Sequence, residues 1–307
     1  MYNAKTELKT AKDLVPEFIR SKILAKEHPL SFGMPKIDDI LDGDLRGKIA
    51  AIIGYAGTKK SLFAFNMCMK SSTINRSRAI YSTMEMSYNA MMSRVIDYSV
   101  DPIPESQGMN MSKYLKSDIS KETESFYSEQ LTNVLNESYG DYLLFNQKNG
   151  MTYKDYKELI RIGKEKHNNI DILIVDGLSM MGGVGTERDK TDENTMMLKE
   201  LSKEEDVFIP IIVHASRGET KHTRDLSGKA RGSEKIMDNV DMCFTLSLIQ
   251  EDSVANTYYN NEGYIRMWDK RGTGIVEDVI FDFDPRRLRM TESHKLPRDV
   301  EISDNRF

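Results

Sequence analysis

The sequence predicts an α/β fold: a mostly parallel, doubly wound sheet flanked by helices, with a short helical N-terminal arm. Three observations carry this prediction. Six short β-type runs recur along the chain with helical stretches between them, and several of those runs are apolar throughout rather than alternating. The chain is also long enough, at 307 residues of which 39% are hydrophobic, to bury a large core. Continuously apolar strands are expected where helices cover both faces of a parallel sheet.

Taken in order, residues 1–29 read as an arm in which Pro16 is placed to open a helix carrying Phe18, Ile19 and Ile23 on one side, before "EHPLSFG" breaks it. The core is expected over 30–291. Its strand-like runs are "KIAAIIG" (48–54), "RAIYSTM" (78–84), "DYLLF" (141–145), "DILIVD" (171–176), "FIPIIVH" (208–214) and "DMCFTLS" (241–247). Tyr153, Tyr156, Leu159 and Ile160 fall at helical spacing, as do Met197, Leu198 and Leu201. A polar region over 101–137, rich in Ser, Glu, Asn and Lys, is expected to be helical and to lie over the core. The tail 292–307 has too little apolar content to pack by itself.

Composition narrows the function classes. Cys68 and Cys243 are far apart and neither belongs to a Cys-x-x-Cys pair, so neither a disulfide framework nor a zinc site is expected. No run approaches the roughly 20 apolar residues that span a bilayer, which points to a cytoplasmic protein without a membrane partner. The formal charge of −5, from 43 basic and 48 acidic residues, means that any nucleic acid must be held by a local basic loop.

The stretch "GYAGTKKS", Gly54 to Ser61, follows a strand and precedes the helical run "LFAFNMCMK". A phosphate-binding loop reads G-x-x-x-x-G-K-[ST] in that position. Gly54, Lys60 and Ser61 keep the spacing, Gly57 and Thr58 lie within the loop, and Lys59 stands where the second glycine belongs. The chemistry needs backbone N–H groups around a β-phosphate, an ammonium on the β/γ oxygens and a hydroxyl on Mg2+. A position that requires positive φ costs a non-glycine residue about 1 kcal/mol, and Lys59 would add a charge beside a polyanion.

Asp176 closes the strand "DILIVD", the usual form of the carboxylate that orients Mg2+, although a strand-end Asp capping a turn looks the same. Glu85 follows "RAIYSTM" and is placed either to polarise a water or to begin a helix as a solvated residue. His214 ends another strand, a place where a histidine is often only a satisfied polar residue and where, beside a γ-phosphate, it could sense the nucleotide. The loop beyond it carries Lys221, Arg224 and Lys229, then Arg231 and Gly232 at the opening of a helix, a set suited to nucleic-acid phosphates or to plain solvation.

In their order, these segments resemble the C-terminal RecA-like ATPase domain of DnaB-like hexameric replicative helicases, including phage-type members. "LSFGMPKIDDILDGDLRGKIAAIIGYAGTKKS" is similar to the family's approach to its phosphate loop, and "STMEMS" to its glutamate-bearing element. "LIVDGLSMM", "HASRG", "DLSGKARGSEKIMDNVD" and "WDKRGTGIVEDVIFDF" resemble its metal strand, sensor strand, DNA-proximal segment and arginine-finger stretch.

The resemblance implies a RecA-like P-loop NTPase core that uses ATP and Mg2+. Lys60 and Ser61 become phosphate and Mg2+ ligands, Glu85 the base, Asp176 the metal carboxylate and His214 the sensor. Arg231 matches a DNA-proximal position, and Arg271 or its neighbour Lys270 the finger that acts on the next subunit. It further implies a homo-oligomer, a hexamer above all, moving on single-stranded DNA in replication, in a host cytoplasm if phage-encoded. A primase, loader or single-strand-binding protein would be its partner, and the arm is similar to the linker that docks on a neighbouring subunit. Two rivals share the core: a RecA-like recombinase or mediator forming filaments, and a degenerate scaffold that does not turn over.

Overall fold

The computed structural model describes residues 10–27, 29–41, 45–103, 106, 109–137, 140–215, 235–250, 259–269, 274 and 276–295. Its centre is one nine-stranded sheet. The strands are β1 (Ile49–Gly54), β2 (Ala79–Thr83), β3 (Leu143–Asn146), β4 (Ile172–Asp176), β5 (Ile209–His214), β6 (Met242–Gln250), β7 (Tyr259–Asp269), β8 (Val276–Asp284) and β9 (Arg289–Glu292), in the spatial order β3-β2-β4-β5-β1-β6-β7-β8-β9. The pairs from β3 to β6 are parallel, and those from β6 to β9 are antiparallel.

The helices are α1 (Ala11–Glu27), α2 (Pro35–Leu41), α3 (Lys60–Asn75), α4 (Tyr88–Ser99), α5 (Met111–Tyr114), α6 (Lys121–Glu137), α7 (Tyr153–His167), α8 (Glu187–Glu205) and α9 (Ile236–Asn239). Alternate residues of β1 enter different cores. Ala50 and Ile52 pack with Phe63 and Met67 of α3 and Val95 of α4, whereas Ile49, Ala51 and Ile53 pack with Ile160 of α7 and Leu198 of α8. All six residues of β1 are buried, as a doubly covered strand requires. No helix among the described residues is long and apolar enough to cross a membrane.

Two side-chain groups hold the parts that carry the site. Phe32, Phe63 and Phe244 pack together with ring centroids 4.8 to 5.5 Å apart, joining the segment after α1, the first turn of α3 and β6. At the amino ends of the strands, buried Asp171 accepts from Arg46 Nε at 3.0 Å, from the Arg78 N–H at 2.8 Å and from Asn169 at 2.8 Å. One carboxylate thus fixes the entrances to β1, β2 and β4.

Three sequence expectations change. Pro16 lies inside α1 instead of opening it, because a reciprocal cap between Thr10 and Asp13 starts the helix earlier, and the proline deletes one donor from its second turn. The polar region 101–137 holds two separate helices, α5 and α6. The sheet also continues beyond the six expected strands through β7, β8 and β9, and the Ser293 N–H still donates to the Ile280 carbonyl within the expected tail.

Candidate nucleotide site

The loop after β1 is shaped by a close approach. A Cβ on Gly54 would lie 2.3 Å from Thr58 Oγ1 and 2.8 Å from the Leu246 carbonyl oxygen, so a side chain there would block the turn. The Tyr55 carbonyl oxygen accepts three times: from the Thr58 N–H at 3.3 Å, from Thr58 Oγ1 at 2.9 Å and from Lys60 Nζ at 2.8 Å. Gly57 adopts φ +84°. The loop closes on itself and delivers Lys60 to the first position of α3. Burial pushes the Lys60 ammonium down to about 8, against the opposing pull of the Asp176 and Glu85 charges.

Lys59 takes the left-handed conformation, φ 67° and ψ 22°, as the N-cap of α3. The expected requirement for positive φ at this position is therefore met by a lysine. Its ammonium sits 4.0 Å from the centroid of the buried Phe283 ring on β8, and burial lowers its pKa. A half-buried cation–π contact contributes about 1 kcal/mol, comparable to the left-handed penalty of about 1 kcal/mol.

Asp176, at the carboxyl end of β4, is buried. Tyr81 Oη on β2 donates to Asp176 Oδ2 at 2.8 Å and approaches the Ser61 carbonyl oxygen at 3.0 Å, while the Ser61 side chain hydrogen-bonds the same carboxylate. Burial raises the Asp176 pKa, and the bonds from Tyr81 and Ser61 and the nearby Arg94 charge pull it back. One Nη of Arg94, on α4, is itself buried without a hydrogen-bond partner. A hydroxyl beside a carboxylate at the start of a lysine-bearing helix fits a Mg2+-bound polyphosphate, since both donors are hard oxygens.

Glu85 lies just beyond β2, where Thr83 Oγ1 accepts from the Glu85 and Met86 N–H groups at 3.3 and 3.1 Å. Its Oε1 is 3.6 Å from His214 Nε2 at the end of β5, and both side chains reach solvent, at 44% and 38% exposure. The Ala215 N–H donates to the Gly54 carbonyl at 3.0 Å, tying the strand of His214 to the loop. Gly54, Gly57, Thr58, Lys59, Lys60, Ser61, Glu85, Asp176 and His214 thus meet at the carboxyl edge of β1, β2, β4 and β5. Lys221, Arg224, Lys229, Arg231 and Gly232 lie outside the described residues, as do Lys270 and Arg271 in the connection from β7 to β8.

Sequence reasoning missed Tyr81, Arg94 and Phe283. Tyr81 is an aromatic inside an apolar strand and reads as core; only the pairing Thr83↔Asp176 in register brings its hydroxyl beside the carboxylate. A large cavity of about 1050 Å3 lies at the opposite edge of the sheet, against Arg46, Arg78 and Asp171, away from this constellation.

Residues 30–292 match the family described as the DnaB-like helicase C terminal domain. Among solved structures the chain is similar to one described as an ATPase domain, with a TM-score of 0.74 at 15% identity, covering 93% of this chain and 100% of that one. A DnaB-like replicative helicase described with its interactions with primase gives a TM-score of 0.70 at 15% identity, covering 93% of this chain and 67% of that one. A KaiC-like protein from the hyperthermophilic archaeon Pyrococcus horikoshii OT3 gives 0.56 at 14% identity over 86% of this chain and 98% of that one. No curated protein matches the chain in sequence.

Proposed function

The chain belongs to the DnaB-like helicase C-terminal domain family, and from that premise we propose that it is an ATP-driven translocase on single-stranded DNA, acting as a closed ring of six subunits in replication. The observation that carries this reading is the grouping of Lys60, Ser61, Asp176, Glu85 and His214 at one edge of the sheet. In it, Lys60 leaves the Tyr55 carbonyl for the β/γ oxygens of ATP. Ser61 and Asp176 would hold Mg2+, which would supply charge neutralisation when bound.

Glu85 takes the proton of the attacking water, and its exposure gives that water access. His214 is within reach of Glu85, so it can register whether the glutamate is engaged and pass this to the segment bearing Lys221, Arg224, Lys229, Arg231 and Gly232, which would track DNA phosphates. Arg271 or Lys270 would act on the neighbouring subunit's nucleotide, making turnover depend on assembly. The structural neighbour described with primase supports a primase as a partner.

ATP hydrolysis with and without single-stranded DNA, comparing wild type with Lys60→Ala and Glu85→Gln, tests this. DNA-stimulated turnover lost in both variants is expected. Turnover indifferent to Lys60→Ala, or absent in the wild type at concentrations where oligomers form, would remove the motor and leave a scaffold. Particle imaging separates a closed ring from a filament.

A further inference from the structure

The substitution of a lysine for the loop's second glycine is coupled to a partner on another part of the sheet. Lys59 holds φ 67° with its ammonium 4.0 Å from the Phe283 ring centroid. Phe283 is buried on β8 opposite Met290 of β9. The same hairpin grips the helix that follows the loop: buried Asn66 of α3 donates to the Leu288 carbonyl at 2.8 Å and accepts from the Met290 N–H at 2.9 Å. Leu288, in the turn between β8 and β9, has φ 49°. The loop and the first two turns of α3 are therefore bound to one hairpin at two points, a buried amide and a buried ring.

We propose that Phe283 is a positioning residue for the phosphate loop, its ring holding Lys59 in the left-handed conformation that a glycine would otherwise supply. The proposal rests on the nucleotide-binding reading above. A lysine at this position without an aromatic partner would drift toward negative φ and turn the following N–H groups away from the phosphates. With the ring in place, the loop keeps the shape of a glycine-containing one while its ammonium is engaged by an aromatic face.

The experiment is equilibrium binding of a fluorescent ADP analogue to the full chain, without turnover, in a double-mutant cycle. Phe283→Leu is expected to weaken binding by about 5-fold with Lys59 present and by less than about 2-fold in the Lys59→Gly background. Lys59→Met, which keeps the length and loses the charge, is expected to bind more weakly than either Lys59→Gly or Lys59→Arg. Equal weakening by Phe283→Leu in both backgrounds would make Phe283 a core residue only and overturn the proposal. Equal weakening by Lys59→Met and Lys59→Gly would also overturn it, by making the ammonium itself a phosphate ligand. Should Phe283→Leu fail to fold, the Lys59 series decides, since it leaves the core intact. Binding by the wild type that Lys60→Ala does not reduce would instead sink the nucleotide reading, a result distinct from either failure.

Discussion

The two ends of the sheet differ in what they contribute. From β3 to β6 the strands are parallel, those inside the set are buried on both faces, and their carboxyl ends carry Gly54, Glu85, Asp176 and His214. From β6 to β9 they are antiparallel, β8 alternates between buried and half-buried positions at its carboxyl end, and none of the described candidate ligands lies there. The extension nevertheless touches the site through Phe283 and through Asn66's bonds to Leu288 and Met290. Among the described residues, the candidate ligands sit on the parallel half, and the antiparallel half packs against the loop that carries them.

That division can be broken by experiment. The largest expected effect is on turnover: Lys60→Ala should cut ATP hydrolysis by about 1000-fold while the fold survives, because in the proposed mechanism the lost ammonium meets charge that develops in the reaction. Next is Gly263→Val on β7, where an added Cβ would meet the cross-strand Phe281 ring at 2.0 Å. Denaturant melts should show a loss of about 3 kcal/mol or more. Lost hydrolysis with an unchanged melt would give β7 itself a part beyond holding the loop and overturn the comparison.

A third effect concerns the buried charge of the loop. Lys60 falls from an ordinary 10.5 to about 8 in the folded protein, so below pH 8 the fold bears the full cost of burying its charge. Replacing it by Met should stabilise the nucleotide-free protein at pH 7 by up to about 3 kcal/mol. Between pH 8 and 10.5 the unfolded chain binds the extra proton, so the wild type gains stability and the gap to Lys60→Met closes; melts across that range check this. Smaller again, Tyr81→Phe should lower kcat about 5-fold and raise the Mg2+ needed for half-maximal rate, since it frees Asp176 from its donor at a cost of about 1 kcal/mol in stability. Least is Lys157→Ala, which breaks an exposed pair with Glu204 and should move the melt by less than about 0.5 kcal/mol.

The same division separates what the sequence discloses from what it hides. β1, β2, β4 and β5 are legible because burial on both faces makes runs such as "IAAIIG" or the "ILIV" before Asp176 continuously apolar, and the loop is legible because phosphate chemistry imposes a spacing on Gly54, Lys60 and Ser61. β8, "VEDVIFDFD", mixes charges with apolar residues, and nothing local in it says that it pairs with a strand rather than solvating a loop. Tyr81 and Phe283 are invisible for another reason. Each acts on a residue far away in sequence, so its role appears only once the register is known. Pro16 misled because proline is best known for opening helices, and here the Thr10–Asp13 cap came first.

β1 also has a history within the making of the chain. It is the earliest strand in the sequence and lies between β5 and β6, whose residues Ile209–His214 and Met242–Gln250 belong to the last third of the chain. At a synthesis rate of about 5–20 residues per second, this wholly apolar strand waits about ten seconds or more with both backbone edges unpaired. One bond at the start of the phosphate loop also waits, because the carbonyl of Gly54 accepts from the Ala215 N–H just after β5. The order of the sheet thus fixes a period during synthesis in which the apolar strand leading into the loop has neither of its native neighbours. Ample chaperone during expression should therefore raise the soluble yield, which the soluble fraction with and without chaperone co-expression checks.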